Sequence, residues 1–398
     1  MTHMKTRGKA NGQSRSADDR RPIGDRDTQR RRLSLTCAAG FEQIVSAAIQ
    51  EDLRGLRVKG VASGALDATI KPTVPIAKLL KLEYLSGVHQ VVVSIKRKKY
   101  SLSWILTQLS QELSQQQIAE PLRRDSSFRL RIIHEGTPVA VDRNGRLKLE
   151  RALQSWSDMK CEPRGGAMEV WVNLRRESDE AVLSLRLDRT GRRRAPKGAL
   201  RPDVAAALVR AAPHGKNDVV IDPFVGSGAI VIARAAYAAQ LIVASDHDKV
   251  IIDGLARHLR NTNLDTVVQA HRCDIRNVVP DLVPAHAATH VITDLPWGKY
   301  DQIEDLGRLY TDAAGSFAAL LQAGGWLVCL VHVDMPISAE LRHHGFDVVS
   351  EINVLISGKK ALVVIGRPGP TDAVSNPAPG FMDGPVGATS GHPEGLCL

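Results

Sequence analysis

The chain has 398 residues, which is enough for two or three domains. Hydrophobic residues make up 43% and charged residues 24%, values ordinary for a soluble globular protein, and no apolar run approaches the roughly 18 residues needed to span a bilayer. The five cysteines are far apart and form no CxxC pair, which argues against a zinc site or a disulfide framework and favours a reducing cytoplasm.

The net charge of +10 is concentrated in two basic segments. Residues 1–32 hold ten Lys or Arg against four Asp, and residues 186–201 hold seven against one Asp. A basic segment beside a binding site suits a polyanion, because each phosphate contact releases counterions. Arg192, Arg193, Arg194, Lys197 and Arg201 are therefore candidate RNA contacts, and a solvated basic linker is the equally weighted alternative.

The two ends of the chain lack apolar periodicity. The polar, charged residues 1–32 predict a disordered basic tail with no secretory signal, because no apolar stretch follows them. Residues 368–398 are rich in Pro, Gly, Ser and Ala and predict a second disordered tail. Two ordered blocks lie between the tails, and residues 189–201 form a basic linker that joins them.

The first block, residues 33–188, mixes short helices with short strands, a pattern typical of an α+β domain. Apolar residues at helical spacing predict helices over 41–53, 76–85, 103–113 and 147–159. Alternating apolar and polar residues predict strands over 64–71, 88–99 and 128–136, and two more within 168–188.

The second block, residues 202–367, alternates strands with helices. Apolar runs predict strands over 218–222, 241–246, 267–274, 290–294 and 326–333, and helices over 227–239 and 249–262. Such strands indicate a parallel sheet covered on both faces. Residues 347–358 and 359–366 predict a hairpin that turns at Gly358–Lys359.

A Gly-rich turn, DPFVGSG, follows the first strand of this block. Open α/β sheets bind ligands at such strand-to-helix turns, where Gly226 and Gly228 let the backbone come close to a ligand. Asp222 can accept a hydrogen bond from a ligand's ammonium. Asp222 and Pro223 stand where a dinucleotide-binding turn has its first Gly, and no Lys follows as in a P-loop. The alternative is a tight turn without a ligand.

Carboxylates also close the next two strands. Asp246 can accept from both hydroxyls of a ribose, with Asp248 as the alternative, and Asp274 can accept from an adenine amino group. Each alone is more often a helix N-cap. Three carboxylates at successive strand ends beside a Gly turn together predict a pocket for an adenosine with a cationic amino-acid end.

The motif DLPW closes the fourth strand. Asp294 offers a carboxylate acceptor, Pro296 stiffens the loop, and Trp297 offers a face on which a base can stack. A carboxylate and a backbone carbonyl that accept from both N–H groups of a ring amine leave the nitrogen lone pair available to attack a sulfonium methyl. The alternative is a Pro-aromatic turn that caps the strand.

In that order and spacing, DPFVGSG, SDHD, CD and DLPWG resemble the Rossmann-like methyltransferases that modify exocyclic amines. Residues 193–212 resemble the segment that joins a THUMP domain to a methyltransferase domain, and the first block is similar to a THUMP domain preceded by a smaller ferredoxin-like part. Trp297 stands where the family usually has Phe or Tyr, and Leu295 replaces a first Pro.

The resemblance implies an α/β fold in which a Rossmann-like, seven-stranded methyltransferase domain (202–367) follows an α+β region. That region divides into a ferredoxin-like part (33–100) and a THUMP RNA-binding domain (101–188). It implies S-adenosyl-L-methionine as cofactor, a catalytic segment formed by Asp294, Leu295, Pro296 and Trp297, and the exocyclic N2 of a guanosine in tRNA as methyl acceptor.

Three other functions stay open. They are a ribosomal RNA guanine-N2-methyltransferase, a DNA adenine-N6 methyltransferase and a non-catalytic RNA-binding protein. We expect no metal, no membrane association, a cytoplasmic location and, by preference, a monomer.

Overall fold

The computed structural model describes residues 30–97, 101–116, 127–134, 136–175, 179–188, 198–277, 283–298 and 305–369. These residues form two β-sheets, one in each block of the chain. The strands of the first block are β1 (Arg31–Thr36), β2 (Leu56–Ala62), β3 (Ala65–Ile70), β4 (Gly87–Lys96), β5 (Ser127–His134), β6 (Thr137–Pro138), β7 (Lys160–Cys161), β8 (Met168–Leu174) and β9 (Glu180–Arg186). Its helices are α1 (Glu42–Asp52), α2 (Ile76–Leu79), α3 (Leu102–Leu113) and α4 (Arg143–Ser157).

The first block is built on a single sheet of nine strands in the order β2-β3-β1-β4-β9-β8-β5-β6, with β7 paired to β5. The antiparallel pairing of β4 with β9 carries this sheet across the boundary expected at residue 100. The alternation of side chains explains its two faces. In β5, Phe128, Leu130 and Ile132 are buried against α3 and α4, whereas Arg129 and Arg131 lie on the other face.

Three details of the first block differ from expectation. Strand β1 already begins at Arg31, inside the segment assigned to the tail, because the side chain of Arg32 bonds to Asp67 and Glu180 across the sheet. The helix expected over 76–85 ends at Leu79, and the remaining apolar residues are buried in a turn. Strand β2 was not expected, since it is an edge strand whose mostly exposed, partly charged residues show no apolar alternation.

The second block forms a seven-stranded sheet. Its strands are β10 (Val219–Asp222), β11 (Leu241–Asp246), β12 (Val268–Arg272), β13 (Ala288–Asp294), β14 (Leu321–His332), β15 (Phe346–Ile356) and β16 (Lys359–Pro368). Its helices are α5 (Pro202–Val209), α6 (Ala229–Arg234), α7 (Lys249–Asn261), α8 (Leu306–Leu320) and α9 (Ile337–His343), with a 3₁₀ turn at Ile275–Asn277.

The strand order is β12-β11-β10-β13-β14-β16-β15, in which β16 runs antiparallel to its neighbours β14 and β15, and β15 runs in the same direction as the other five strands. The expected seven-stranded α/β sheet is therefore confirmed. The hairpin turns through Ser357 and Gly358, both with positive φ, and β16 runs on to Pro368, one residue into the segment assigned to the second tail.

Helices cover both faces of this sheet. Buried residues of α5, α6 and α7 lie in one apolar cluster, and those of α8 and α9 lie in another. The chain therefore leaves β10 toward one face and β13 toward the other, and the carboxyl ends of these adjacent strands border an open crevice, the usual ligand site of such sheets. Among the described helices, none is long and apolar enough to cross a bilayer.

The two blocks share one apolar core and a short backbone contact. The backbone N–H of Leu355 in β15 donates to the carbonyl of Ala39 at 2.9 Å. Arg210, only 3% exposed at its side chain, lies 3.4 Å from the Asp52 carboxylate at the end of α1. Gly40 has a φ of +98°, and a Cβ there would lie 2.2 Å from the Asn353 carbonyl oxygen. A close backbone approach therefore holds the blocks together.

Replacing Gly40 with Ala should loosen this junction. We expect Gly40→Ala to lower the free energy of unfolding by about 2–4 kcal/mol, since it adds strain at positive φ and overlap with β15. Urea unfolding followed by circular dichroism measures the change. Gly60→Ala is the matched control because a Cβ at Gly60 meets no atom within 4 Å. Equal losses in the two variants would show that the junction carries no special constraint.

Candidate active site

A cleft of about 1260 Å³ opens at the carboxyl edge of the seven-stranded sheet. It gathers ten of the fifteen residues that the sequence singled out, although these ten are spread over residues 201–297. The cleft is lined, among others, by Arg201, Asp222, Pro223, Gly226, Asp246, Asp274, Asp294, Leu295, Pro296 and Trp297. Arg192, Arg193, Arg194 and Lys197 lie outside the described residues.

Asp222 forms the buried floor of the cleft at the end of β10. It is 2% exposed, and its Oδ1 accepts from the Thr293 hydroxyl at 2.7 Å and from the backbone N–H of Phe224 at 3.3 Å. Burial raises the pKa of Asp222 to about 7, against the lowering effect of these two hydrogen bonds. A cationic group placed beside this carboxylate would restore its charged form.

The Gly-rich turn depends on two glycines for different reasons. Gly226 has a φ of +48°, and a Cβ there would have no neighbour closer than 4.0 Å, so its missing side chain leaves space in the cleft. Gly228, with a φ of +82°, is not among the lining residues, and a Cβ there would lie 2.5 Å from the Leu255 side chain. The missing side chain of Gly228 thus lets the first turn of α6 pack against Leu255 of α7.

Asp246 closes β11 and braces the Gly-rich turn. Its Oδ2 accepts from the backbone N–H of Gly226 at 3.2 Å, and its Oδ1 accepts from that of Asp248 at 3.0 Å. Asp248 in turn caps α7 by accepting from Val250 N–H at 2.7 Å. Each carboxylate keeps further acceptor sites, so Asp246 and Asp248 both stay candidate acceptors for ribose hydroxyls.

Asp274 follows β12 and is paired with a residue that sequence reasoning missed. Its Oδ1 accepts from the backbone N–H of Arg276 at 3.0 Å and from Nε of the same residue at 2.9 Å. The hydrogen bonds from Arg276 lower the pKa of Asp274, so the carboxylate stays charged. The sequence signal for this pair is the basic residue Arg276 two positions after the acid. Its side chain holds the Asp274 carboxylate in place where it lines the cleft.

Asp294 is the last residue of β13 and is half-buried at the edge of the cleft. Its Oδ1 accepts from Trp297 Nε1 at 3.0 Å, and burial raises the pKa of Asp294 to about 7 despite that bond. The Pro296 carbonyl accepts from the Tyr310 hydroxyl on α8 at 3.0 Å, and Leu295 is buried. Tyr310 was missed because nothing in the local sequence links α8 to this loop.

Other segments reach the cleft from far along the chain. Residues 198–200 of the linker line it, as do Ile356, Ser357 and Lys359 of the β15–β16 hairpin. These contacts depend on how the last two strands fold back on the sheet, which no local pattern indicates. No group of His, Cys, Asp or Glu in the described residues is arranged to hold a metal ion.

Strand order, Gly-rich turn and acidic strand ends together define a Rossmann-like methyltransferase domain. Residues 189–361 match the UPF0020 family model, described as RMKL-like, methyltransferase domain. This segment of the chain is a methyltransferase domain similar to that family, and the resemblance predicted such a domain.

Two curated relatives match part of the chain. The tRNA (guanine(6)-N2)-methyltransferase of Thermus thermophilus is 33% identical over 216 residues, which are 51% of this chain and 62% of that protein. The tRNA (guanine(10)-N2)-dimethyltransferase of Methanocaldococcus jannaschii is 32% identical over 104 residues, 25% of this chain and 29% of that protein. The chain thus spans less than two thirds of the length of the relatives it matches.

Solved structures share the fold over most of the chain. TrmN from Thermus thermophilus superposes with a TM-score of 0.68 at 22% identity, covering 85% of this chain and 99% of that one. A possible methylase from Clostridium difficile 630 gives a TM-score of 0.64 at 14% identity, covering 87% and 100%. The arrangement of both blocks is therefore a fold already seen in whole proteins.

Asp222 and Asp294 predict a specific dependence of stability on pH. Desolvation raises the folded-state pKa of both groups to about 7, above the value of about 3.9 for an unfolded Asp. Between these values the folded state binds more protons, so each group lowers stability as pH rises. We expect Asp222→Asn to gain stability relative to the original protein as pH rises from about 4 to about 7.

Thermal unfolding of the ligand-free protein at half-unit pH steps measures this difference. Asp253→Asn on α7 is the matched control, because Asp253 is an exposed acid paired only with Lys249 in the described contacts. Its difference from the original protein should stay flat over the same range. A flat difference for Asp222→Asn as well would mean that Asp222 keeps an ordinary pKa.

Proposed function

We propose that the chain is an S-adenosyl-L-methionine-dependent methyltransferase that modifies the exocyclic N2 of a guanosine in tRNA. The carrying observation is that Asp222, which is buried, and Asp294, which is half-buried, close adjacent parallel strands and line one cleft. Asp222 suits the ammonium of the cofactor's amino-acid end, and Asp294 suits the amine that accepts the methyl group. The names of the two curated relatives support guanine as the base, N2 as the methylated nitrogen and tRNA as the polymer.

The residues around the Gly-rich turn fit the cofactor's amino-acid end. S-adenosyl-L-methionine supplies an electrophilic methyl group on a positively charged sulfur. The ammonium of its amino-acid end is the cation that the buried Asp222 carboxylate lacks, and the ion pair would favour the charged acid despite burial. The space left at Gly226 admits the ligand beside the backbone.

The strand ends on the other side fit the adenosine. Each carboxylate oxygen of Asp246 accepts one hydrogen bond, from the backbone N–H of Gly226 or of Asp248. A carboxylate oxygen can accept a further bond, so Asp246 can also accept from two ribose hydroxyls. Asp274, held in orientation by Arg276, accepts from the adenine amino group. Ile275 between them is buried and presents an apolar neighbour for the ring.

Asp294 and a backbone carbonyl hold the acceptor amine. A ring amine is a poor nucleophile because its lone pair is delocalised, and two acceptors for its two N–H groups favour a pyramidal nitrogen. The Pro296 carbonyl already accepts a hydrogen bond from the Tyr310 hydroxyl. We therefore assign the Leu295 carbonyl as the second acceptor for the N–H groups of the amine. Asp294 can take the proton after transfer, and Trp297 presents its ring for the target base, a contact of about 1–3 kcal/mol.

The choice of RNA is supported by charge and by the relatives. Six basic residues against one acid in 186–197 lie directly before the cleft-lining residues 198–201. We assign Arg192, Arg193, Arg194 and Lys197 to the RNA backbone, where each phosphate contact would add to the salt dependence of binding. A cytoplasmic location follows from tRNA as substrate and stays part of this proposal.

Substitution of Asp294 separates its possible roles. Asp294→Ala should reduce methyl transfer by about 100-fold or more while S-adenosylhomocysteine binds with nearly unchanged affinity, since the acid faces the acceptor. Asp294→Asn keeps an oxygen that can accept from Trp297 and from the amine, so measurable activity should survive if the acid acts chiefly as an acceptor. Rates come from transfer of labelled methyl to tRNA and affinities from calorimetry. An equal collapse of cofactor affinity would make Asp294 a structural residue.

The substrate is tested by nucleoside mass spectrometry of tRNA from a strain that lacks the gene. We expect one N2-methylated guanosine to disappear and to return when the gene, but not its Asp294→Ala variant, is supplied. In vitro, unmodified tRNA should accept methyl groups, whereas ribosomal RNA and DNA should not. Methylation of ribosomal RNA alone, or of DNA, would overturn the assignment to tRNA.

A further inference from the structure

We propose that Arg201 binds the carboxylate of the cofactor's amino-acid end rather than RNA. This inference rests on the proposed function and assigns a residue to a part of that site which the acids cannot serve. Arg201 comes at the end of the basic segment and was grouped with its RNA contacts on sequence alone. In the structure, Arg201 lines the cleft.

Arg201 lines the same cleft as Asp222 and the Gly-rich turn. It directly precedes α5, which packs against α6, the helix that the Gly-rich turn begins, and against β14. Its side chain is 38% exposed, so it is open to the cleft without extending freely into solvent. The placement puts a guanidinium among the residues proposed for the cofactor.

The negative charge of the acids that line the cleft means that a ligand carboxylate needs a cationic partner there. The described acids of its lining are Asp222, Asp246, Asp248, Asp274 and Asp294. A ligand carboxylate that enters this acidic, partly desolvated cleft is repelled by these groups unless a donor of opposite charge meets it. The cofactor's ammonium pairs with an acid, but its carboxylate cannot.

Three long cationic side chains line the cleft in its described part, and they are differently engaged. Arg276 is committed to Asp274 through its Nε and Nη2, at the adenosine end. Lys359 lies on the hairpin turn and has an interaction of its own. Arg201 donates through Nε and Nη2 to Asp203, and among the described residues its Nη1 donates to none.

Asp203 explains how Arg201 is held in place. Its carboxylate is 8% exposed and bonds to Arg201 Nε at 3.0 Å. A guanidinium anchored in this way loses little further freedom when it binds a ligand, and its planar donors match the geometry of a carboxylate. We therefore expect the Arg201–Asp203 pair to be a preset clamp for the cofactor's carboxylate.

Two ligands that differ only at the amino-acid end test this assignment. S-adenosylhomocysteine carries the carboxylate, whereas 5′-methylthioadenosine lacks the whole amino-acid group. In calorimetry, Arg201→Ala should weaken S-adenosylhomocysteine by about 10- to 100-fold, the loss of a hydrogen bond to a charged group, and leave 5′-methylthioadenosine unchanged. Arg201→Lys should fall between.

Arg276→Ala is the matched control at the other end of the cleft. It should weaken both ligands by the same factor, because both contain adenosine. Neutralising Arg192, Arg193 and Arg194 together should instead flatten the salt dependence of tRNA binding and leave both small ligands unaffected. These contrasts separate the carboxylate contact from the adenosine and RNA contacts.

Removing Arg201 alone leaves the buried Asp203 without its partner, so the double variant Arg201→Gln, Asp203→Asn guards against loss of folding. It should show the same selective loss for S-adenosylhomocysteine at an unchanged melting temperature. Equal weakening of both ligands, or no weakening of either, would overturn the role of Arg201. If the original protein binds neither ligand, the proposed function itself fails.

Discussion

The hydrogen bond from the Thr293 hydroxyl to Asp222 ties together the ends of β10 and β13, on which the site depends. Parallel neighbours bring their carboxyl ends to the same edge, while the chain leaves them toward opposite faces, so a crevice opens between two acids. Asp222 is buried there and Asp294 is half-buried, and desolvation raises the pKa of each to about 7. Two desolvated carboxylates so close together are unfavourable in their charged form, and cationic or hydrogen-bond-donating ligands would stabilise them.

The first block supports this edge through rigid contacts rather than through a flexible tether. Burial raises the pKa of Glu169, but hydrogen bonds from Arg129 and Trp171 and the charges of Arg131 and Arg186 bring it down to about 2. This ion network holds three strands of the nine-stranded sheet in register. The shared apolar core and the close approach at the β15 edge then fix that sheet against the methyltransferase domain. A polymer gripped by the first block would therefore meet the cleft at a set distance.

The local spacing of apolar residues was enough to predict a strand or helix wherever that element buries its apolar side chains in the core. Strands β10, β11 and β13 carry continuous apolar runs between turns, and their ends matched expectation closely. The pattern failed for β2, an exposed edge strand, and for residues 80–85, whose apolar side chains are buried by a turn instead of a helix. Nor does a sequence show that Leu255 of α7 lies where a side chain at Gly228 would have to go.

The sequence by itself determined the kind of chemistry: carboxylates at strand ends, a Gly-rich turn and a Pro-aromatic loop in the order of a parallel sheet. Only the tertiary structure decided which groups complete the site. Tyr310 takes the Pro296 carbonyl, Arg276 orients Asp274, and Arg201 turns into the cleft beside Asp203. The physical reason is the distance along the sequence between the residues that make contact. Strand and turn signals lie within a few residues of one another, whereas these contacts join side chains from elements whose proximity exists only after the sheet has formed.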